Sequence, residues 1–160
     1  MATQVKQGRF AGQLDGDFVV FLIGAMAHDP VGSPEATRLL MTMSDMLGEL
    51  LSDPSKGLLA FSTYGTAANG AVLIQYWRSF DALEAYARDP GAKHAPVWRE
   101  WNRLATDERS GTGIWHETFK VSAGQYEAVY QNMPVMGLQQ AGRPITVSEA
   151  RDSARARLEK

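Results

Sequence analysis

The sequence predicts an α+β fold, a ferredoxin-like βαββαβ unit with an extra C-terminal strand, whose antiparallel sheet carries helices on one face. Three observations predict it. Strand-like and helix-like stretches follow one another in that order. The middle two strands are joined by a loop with a hairpin signature. The first strand, Phe18–Ala25, is β-branched and aromatic on both faces, as a central strand covered on both sides must be.

Each element follows in turn. Asp29–Pro34 is a turn cluster, and Ser33-Pro34 offers an N-cap followed by a proline at the first helical position. Ala36, Leu39, Leu40, Met43, Leu47, Leu50 and Leu51 then recur every three or four residues, an amphipathic helix that Asp53-Pro54 and Gly57 end. Gly57–Tyr64 and Ala71–Arg78 read as strands, and Asn69-Gly70 in the loop between them tolerates positive φ. Ser79 and Asp81 open a second helix with a cap and an early acid, and Asp89-Pro90-Gly91 stops it. A further helix runs from about Pro96 to Asp107 and carries Val97, Trp98, Trp101 and Leu104. Gly113–Val121 alternates as a fourth strand, and Tyr126, Ala128 and Tyr130 suggest a fifth short strand or a helical turn. Residues 1–138 therefore form one domain. Residues 139–160 are expected to be a polar C-terminal tail, helix-forming over Ser148–Lys160 and loosely packed because large apolar residues are nearly absent from it.

Both faces of the first strand are apolar, yet the helices cover only one. A second copy of the same sheet is the natural cover for the other, because two-fold pairing buries the same patch twice. The expectation is a homodimer in which two sheets share a barrel-like interior.

Composition removes several function classes. Sixteen Lys+Arg against eighteen Asp+Glu leave a net charge of −2, so there is no global case for nucleic-acid or anionic-membrane binding. The absence of cysteine excludes disulfides, Cys-ligated zinc, iron–sulfur clusters, thiolate haem ligation and Cys nucleophiles. Met1–Asp17 is polar, without the apolar core of a signal peptide. The longest apolar run, Phe18–Ala27, is ten residues, half of a membrane span. A soluble, cytoplasmic protein is expected. No dinucleotide, P-loop or GxSxG motif is present, and the three histidines lack metal-site spacing.

Three segments carry a resemblance: YWRSFDALEAYA (residues 76–87), GIWHETF (113–119) and QYEAVY (125–130) with Asn132-Met133-Pro134 after it. Together they resemble the dimeric α/β-barrel superfamily, which contains cofactor-free small monooxygenases, chlorite-dismutase-like haem proteins and aldoxime dehydratases. The GIWHE-like strand combined with the QYE…NMP segment is similar to a bacterial family of that superfamily and, more distantly, to the N-terminal half of the aldoxime dehydratases. The resemblance spans about Asp15 to Leu138. It implies a small-molecule enzyme, monooxygenase-like or aldoxime-dehydratase-like, with haem as one branch of the superfamily. The alternatives are a haem-binding enzyme and a non-catalytic binding protein for a hydrophobic metabolite.

Acid–base chemistry has few candidates in this chain. His116 sits in the middle of a strand and shares a face with Ile114 and Thr118; it is the candidate interior base, or a haem axial ligand. Its ordinary alternative is a structural histidine bonded to a carbonyl. His94 lies in the break between two helices, ahead of Trp98 and Trp101, and is the second catalytic candidate, the one expected to contact the substrate, or else an exposed helix-terminal residue or N-cap. Trp98 and Trp101 are expected to wall an apolar cleft between sheet and helices or at the barrel mouth. Tyr76 and Asn132 join them as substrate-binding candidates; Tyr76 can equally be packing, and Asn132 a turn cap. Glu117 points opposite to His116 and is expected to pair with a helix residue such as Arg99 or Arg103, and His28 is expected in an exposed turn. No metal site is foreseen. The cofactor is either none or haem, held by His116 or His94.

Overall fold

The computed structural model of the chain describes residues 4–28, 46–66, 70–107, 111–147 and 153–158. β1 spans Val5–Gln13, β2 Phe18–Ala27, β3 Leu58–Thr66, β4 Gly70–Trp77 and β5 Thr112–Val121. The last four form an antiparallel sheet in the order β3-β4-β2-β5. This is the ferredoxin-like arrangement: β2, apolar on both faces, is central, and the β3–β4 hairpin lies at one side.

The register sorts the side chains. Val19 lies opposite Trp77, Phe21 opposite Gln75 and Ile23 opposite Leu73. On the other side of β2, Ile23 lies opposite His116 and Ala25 opposite Ile114. Strand alternation therefore puts Phe21, Ile23, Leu73, Gln75, Trp77, Ile114, His116 and Thr118 on one face. Three helices cover that face: α1 (residues 46–52), α2 (Phe80–Arg88) and α3 (His94–Thr106). The main core is Val19 from β2, Leu50 from α1, Trp77 from β4 and Leu83 from α2, with Phe21, Leu58, Ala82 and Tyr86 against it. Trp77 is its largest fully buried side chain. Truncating such a residue to alanine costs about 3–5 kcal/mol, so Trp77 is the single position most able to break this core.

Local chemistry starts and stops the helices as expected. Ser79 Oγ accepts from the Ala82 N–H at 3.1 Å, Asp81 sits in the first turn of α2 and Arg88 in the last. Before β3, a 3-10 turn over Pro54–Lys56 ends at Gly57, whose φ of 91° favours glycine. A Cβ on Gly57 would also stand 2.7 Å from the Ala82 Cβ. That close approach lets α2 settle onto the sheet.

Residues outside the βαββαβ unit build a second sheet. β6 (Tyr130–Pro134), β1 and β7 (Arg143–Thr146) pair antiparallel in the order β6-β1-β7, and α4 (Leu138–Ala141) packs on β1, β7 and β3. A last short helix, α5, spans Ala154–Leu158.

Three expectations need correction. The strand β1 has no counterpart in the sequence reading, because its alternation is polar and its buried apolar cluster is the small pair Ala11 and Ile145. The division at residue 138 fails, since β7 pairs with β1 and closes the second sheet. Nor is the C-terminal stretch loose throughout: Arg157 is 5% exposed and bonds Glu127 through Nε and Nη2 at 2.9 and 2.8 Å. The extra strand begins at Tyr130, and residues 125–129 are irregular. The expected turn over Asp29–Pro34, the helical stretch from Ala36 to Met43, the loop residues Ala67–Asn69 and the first part of Ser148–Lys160 lie outside the described residues.

Candidate functional site

Between the covered face of the sheet and its helices lies a cavity of about 600 Å³. The floor is apolar: Phe21, Ile23, Leu73 and Trp77 from the sheet, Leu50 from α1 and Leu83 from α2. α3 contributes Val97, Trp98 and Trp101. Trp101 is buried and Trp98 is exposed at the outer side of the same helix. Their spacing of three places both on one side of α3, so the helix lays an aromatic wall along the opening.

The structure brings His94 and His116 to this one cavity. His116 reaches it from β5, the edge of the sheet. Its imidazole lies beside the Phe21 ring with centroids 5.7 Å apart, and the residue is exposed. It therefore stands at the opening rather than deep inside. His94 is the first residue of α3, not a loop residue. Its Nε2 is 2.7 Å from the Ala87 carbonyl oxygen. A carbonyl only accepts, so Nε2 carries the proton of that bond. The Nδ1 atom is buried with no hydrogen-bond partner.

His94 also stacks on Tyr86, with ring centroids 4.8 Å apart. Tyr86 donates to Glu49 Oε2 at 3.3 Å, and the same oxygen accepts the Lys93 N–H at 2.9 Å. Lys56 pairs with the other carboxylate oxygen. Glu49, from α1, thus holds the turn that delivers His94 through two contacts. The Lys56 bond, with help from the Lys93 N–H, holds the Glu49 carboxyl below its usual range. Burial, followed by the charge of Glu49, pushes the Tyr86 phenol up. Sequence reasoning missed both residues. Glu49 had no local signal, because its partners lie 7, 37 and 44 residues away.

Gln75 was missed as well, and it had a signal. It is the polar residue between Leu73 and Trp77 in the core-facing register of β4. Its Oε1 accepts the Trp77 indole N–H at 2.9 Å, and the residue is 8% exposed at the cavity floor. Glu84 and Arg88 line the solvent side and pair with each other at 2.8 Å.

Tyr76 and Asn132 do not reach the cavity. Tyr76 alternates with Gln75 and Trp77 and so faces the other side of the sheet. There, burial and the neighbouring Tyr130 and Tyr64 phenols push its pKa up to about 12. Asn132 has φ 52°, and its Oδ1 accepts the Gly8 N–H at 2.9 Å, where the β1–β6 register shifts. It clasps the bulge. Glu117 also faces away from the helices and is exposed; Arg103 pairs with Glu100 instead, at 2.8 Å. His28 is exposed, with its ring over Gly113. Among the described residues there is no cluster of three metal-ligating side chains, and no helix is long and apolar enough to cross a membrane.

The comparisons agree with this architecture. The family model described as "Monooxygenase af470-like" matches residues 18–138. Over 132 residues the chain is 26% identical to "Monooxygenase af470" of Aspergillus fumigatus, covering 78% of this chain and 46% of that protein. The chain thus spans about half the length of that relative. Among solved structures, the aldoxime dehydratase OxdRE crystallised with butyraldoxime superposes with a TM-score of 0.63 at 17% identity, over 86% of this chain and 39% of that one. A second aldoxime dehydratase gives 0.62 at 19%, over 88% and 43%. At these identities the structural likeness shows the fold alone.

Proposed function

Since the chain belongs to the Monooxygenase af470-like family, we propose that it is an enzyme that binds a small apolar molecule between its sheet and helices and oxidises it with dioxygen. The observation that carries this is one apolar, aromatic-walled cavity holding both His94 and His116. Few convergent polar groups in an apolar pocket are the usual make-up of a small-molecule site.

The chemistry assigned to each residue follows from its surroundings. His116 accepts a proton from an activated methylene of the substrate; its ring nitrogens are not engaged by any described residue, and it stands where proton exchange with solvent is open. Trp98, Trp101 and Phe21 hold the substrate and exclude water, which keeps the resulting anion reactive. That anion reduces dioxygen: the methylene becomes a carbonyl, one oxygen atom enters the product and the other leaves as water, so no external reductant is required. His94, with Nε2 committed to Ala87, shapes the cavity wall.

The haem alternative has one residue that fits. Axial ligation needs a nitrogen lone pair facing the cavity, which His116 offers and His94, bonded through Nε2 and occluded at Nδ1, does not. A haem bound there would supply one-electron and oxygen chemistry.

The second-copy expectation is supported by the exposed part of the sheet's other face, along β5. Trp115 is 41% and Phe119 48% exposed there, beside Val20, Leu22 and Ile74. A relative about twice as long leaves room for the same pairing within one chain.

Native mass spectrometry of the purified protein, with an absorption spectrum, tests the reading. A retained small organic mass lost in His116→Ala, or lost when Trp101 is replaced by Ala, supports it. A Soret band that disappears in His116→Ala would move the assignment to the haem alternative. Protein that binds no apolar compound in a screen of aromatic and terpenoid ligands would overturn the cavity as a site.

A further inference from the structure

From the geometry of Gln75 we infer the chemical class of the ligand: an uncharged apolar compound whose buried end carries a carbonyl oxygen, held by the Gln75 side-chain N–H. The inference rests on the cavity being the ligand site.

Gln75 is an unusual residue for its place. It occupies the middle of a central strand, opposite Phe21 on β2 and Phe61 on β3, on the face that otherwise supplies the apolar floor. It is more than nine-tenths buried. A polar side chain in that position destabilises the fold unless its hydrogen-bonding groups are used.

Half of the carboxamide is used. The Trp77 indole N–H is a donor and nothing else, so the atom it meets at 2.9 Å is Oε1; the opposite amide orientation would set two donors against each other. This fixes Nε2 on the remaining side. Nε2 makes no hydrogen bond with any described residue, yet it is not among the atoms sealed from solvent without a partner. Gln75 lines the cavity, so that is where Nε2 opens. The cavity floor thus presents an amide donor whose orientation is locked by the adjacent indole.

A donor selects for an acceptor. The surrounding Leu50, Leu73, Leu83 and Phe21 offer no charge to balance an anion, and Glu84 and Arg88 at the solvent side neutralise each other. An uncharged oxygen acceptor on an apolar frame satisfies Nε2 without burying a net charge. A hydrocarbon in the same place leaves the amide unpaired, and this mismatch discriminates between otherwise equal shapes.

Two probes of the same skeleton test this: 1-tetralone, with a ring carbonyl, and tetralin, without it. Each is titrated against the full-length protein and followed by the emission of the tryptophans around the cavity. Transfer out of water alone favours tetralin, so a wild-type preference for tetralone reports the donor. In Gln75→Leu the ratio of the two Kd values should move about tenfold toward tetralin, the weight of one neutral hydrogen bond. Gln75→Met, unbranched and of similar length, supplies the same comparison if the leucine variant fails to fold. A wild type that prefers tetralin, or a ratio unchanged in the substituted proteins, overturns the assignment of Gln75 while leaving the cavity as a site. If neither probe binds, the cavity reading falls, and this inference with it.

Discussion

The indole of Trp115 lies across Gly24, its register partner on the central strand, so that a Cβ on Gly24 would meet Nε1 at 2.5 Å. The two residues share the face of the sheet opposite α1, α2 and α3. A glycine in a strand interior weakens it, and here the missing side chain makes room for a neighbouring aromatic to lie flat. Gly24→Ala should lift Trp115 from the sheet and lower Tm by several degrees, with a change in tryptophan emission. An unchanged melting curve and spectrum would show that the indole has another resting place.

The flattened face predicts association. Sedimentation velocity at micromolar concentration should give a dimer, and Phe119→Glu, which sets a charge in the middle of the exposed apolar patch, should shift it to monomer with the fold retained by circular dichroism. A wild-type species of about 17.6 kDa under the same conditions would refute the pairing.

The two cavity histidines should separate in stability. His94→Ala loses the bond to the Ala87 carbonyl and the stack on Tyr86, and should cost about 1 kcal/mol. His116→Ala removes an exposed ring without hydrogen bonds to described residues, so denaturant midpoints should move by less than about 0.5 kcal/mol. Equal losses in the two variants would contradict this division of roles.

Glu49 predicts an acid limb. Its carboxyl titrates below the ordinary glutamate range because Lys56 and the Lys93 N–H favour the charged form. A carboxylate with a lowered folded-state pKa contributes stability that is fully present above the unfolded value and is lost as pH falls through the folded one. Tm should therefore decline as pH drops below the ordinary glutamate range, and Glu49→Gln should be less stable near neutrality with a shallower acid decline. Parallel pH–Tm curves for the two proteins would count against it.

Truncation before residue 153 should destabilise the protein. Arg157 is buried and holds Glu127, so its removal leaves a carboxylate short of its partner beside the second sheet. Breaking such a pair from one side costs about 3–5 kcal/mol when both groups are buried, and Glu127, partly exposed, sets the expectation at the lower end. Arg157→Ala alone should reproduce most of the Tm loss.

The order of strands and helices from Phe18 to Val121 was legible in the sequence because each element carries its own period and punctuation. Phe18–Ala27 is apolar on both faces, Ser79 caps α2 and Asp89-Pro90 stops it. Alternation also placed His116 with Ile114 and Thr118, and opposite to Glu117. Which of those two faces the helices cover depends on register across β2, which no local pattern encodes. The same limit hid the clasp of Asn132 on Gly8, 124 residues away, and the closing of β7 on β1. Tertiary structure alone decided that Gln75 turns its free donor into a cavity and that Glu49 braces His94, because a hydrogen bond between distant residues depends on where folding brings them together.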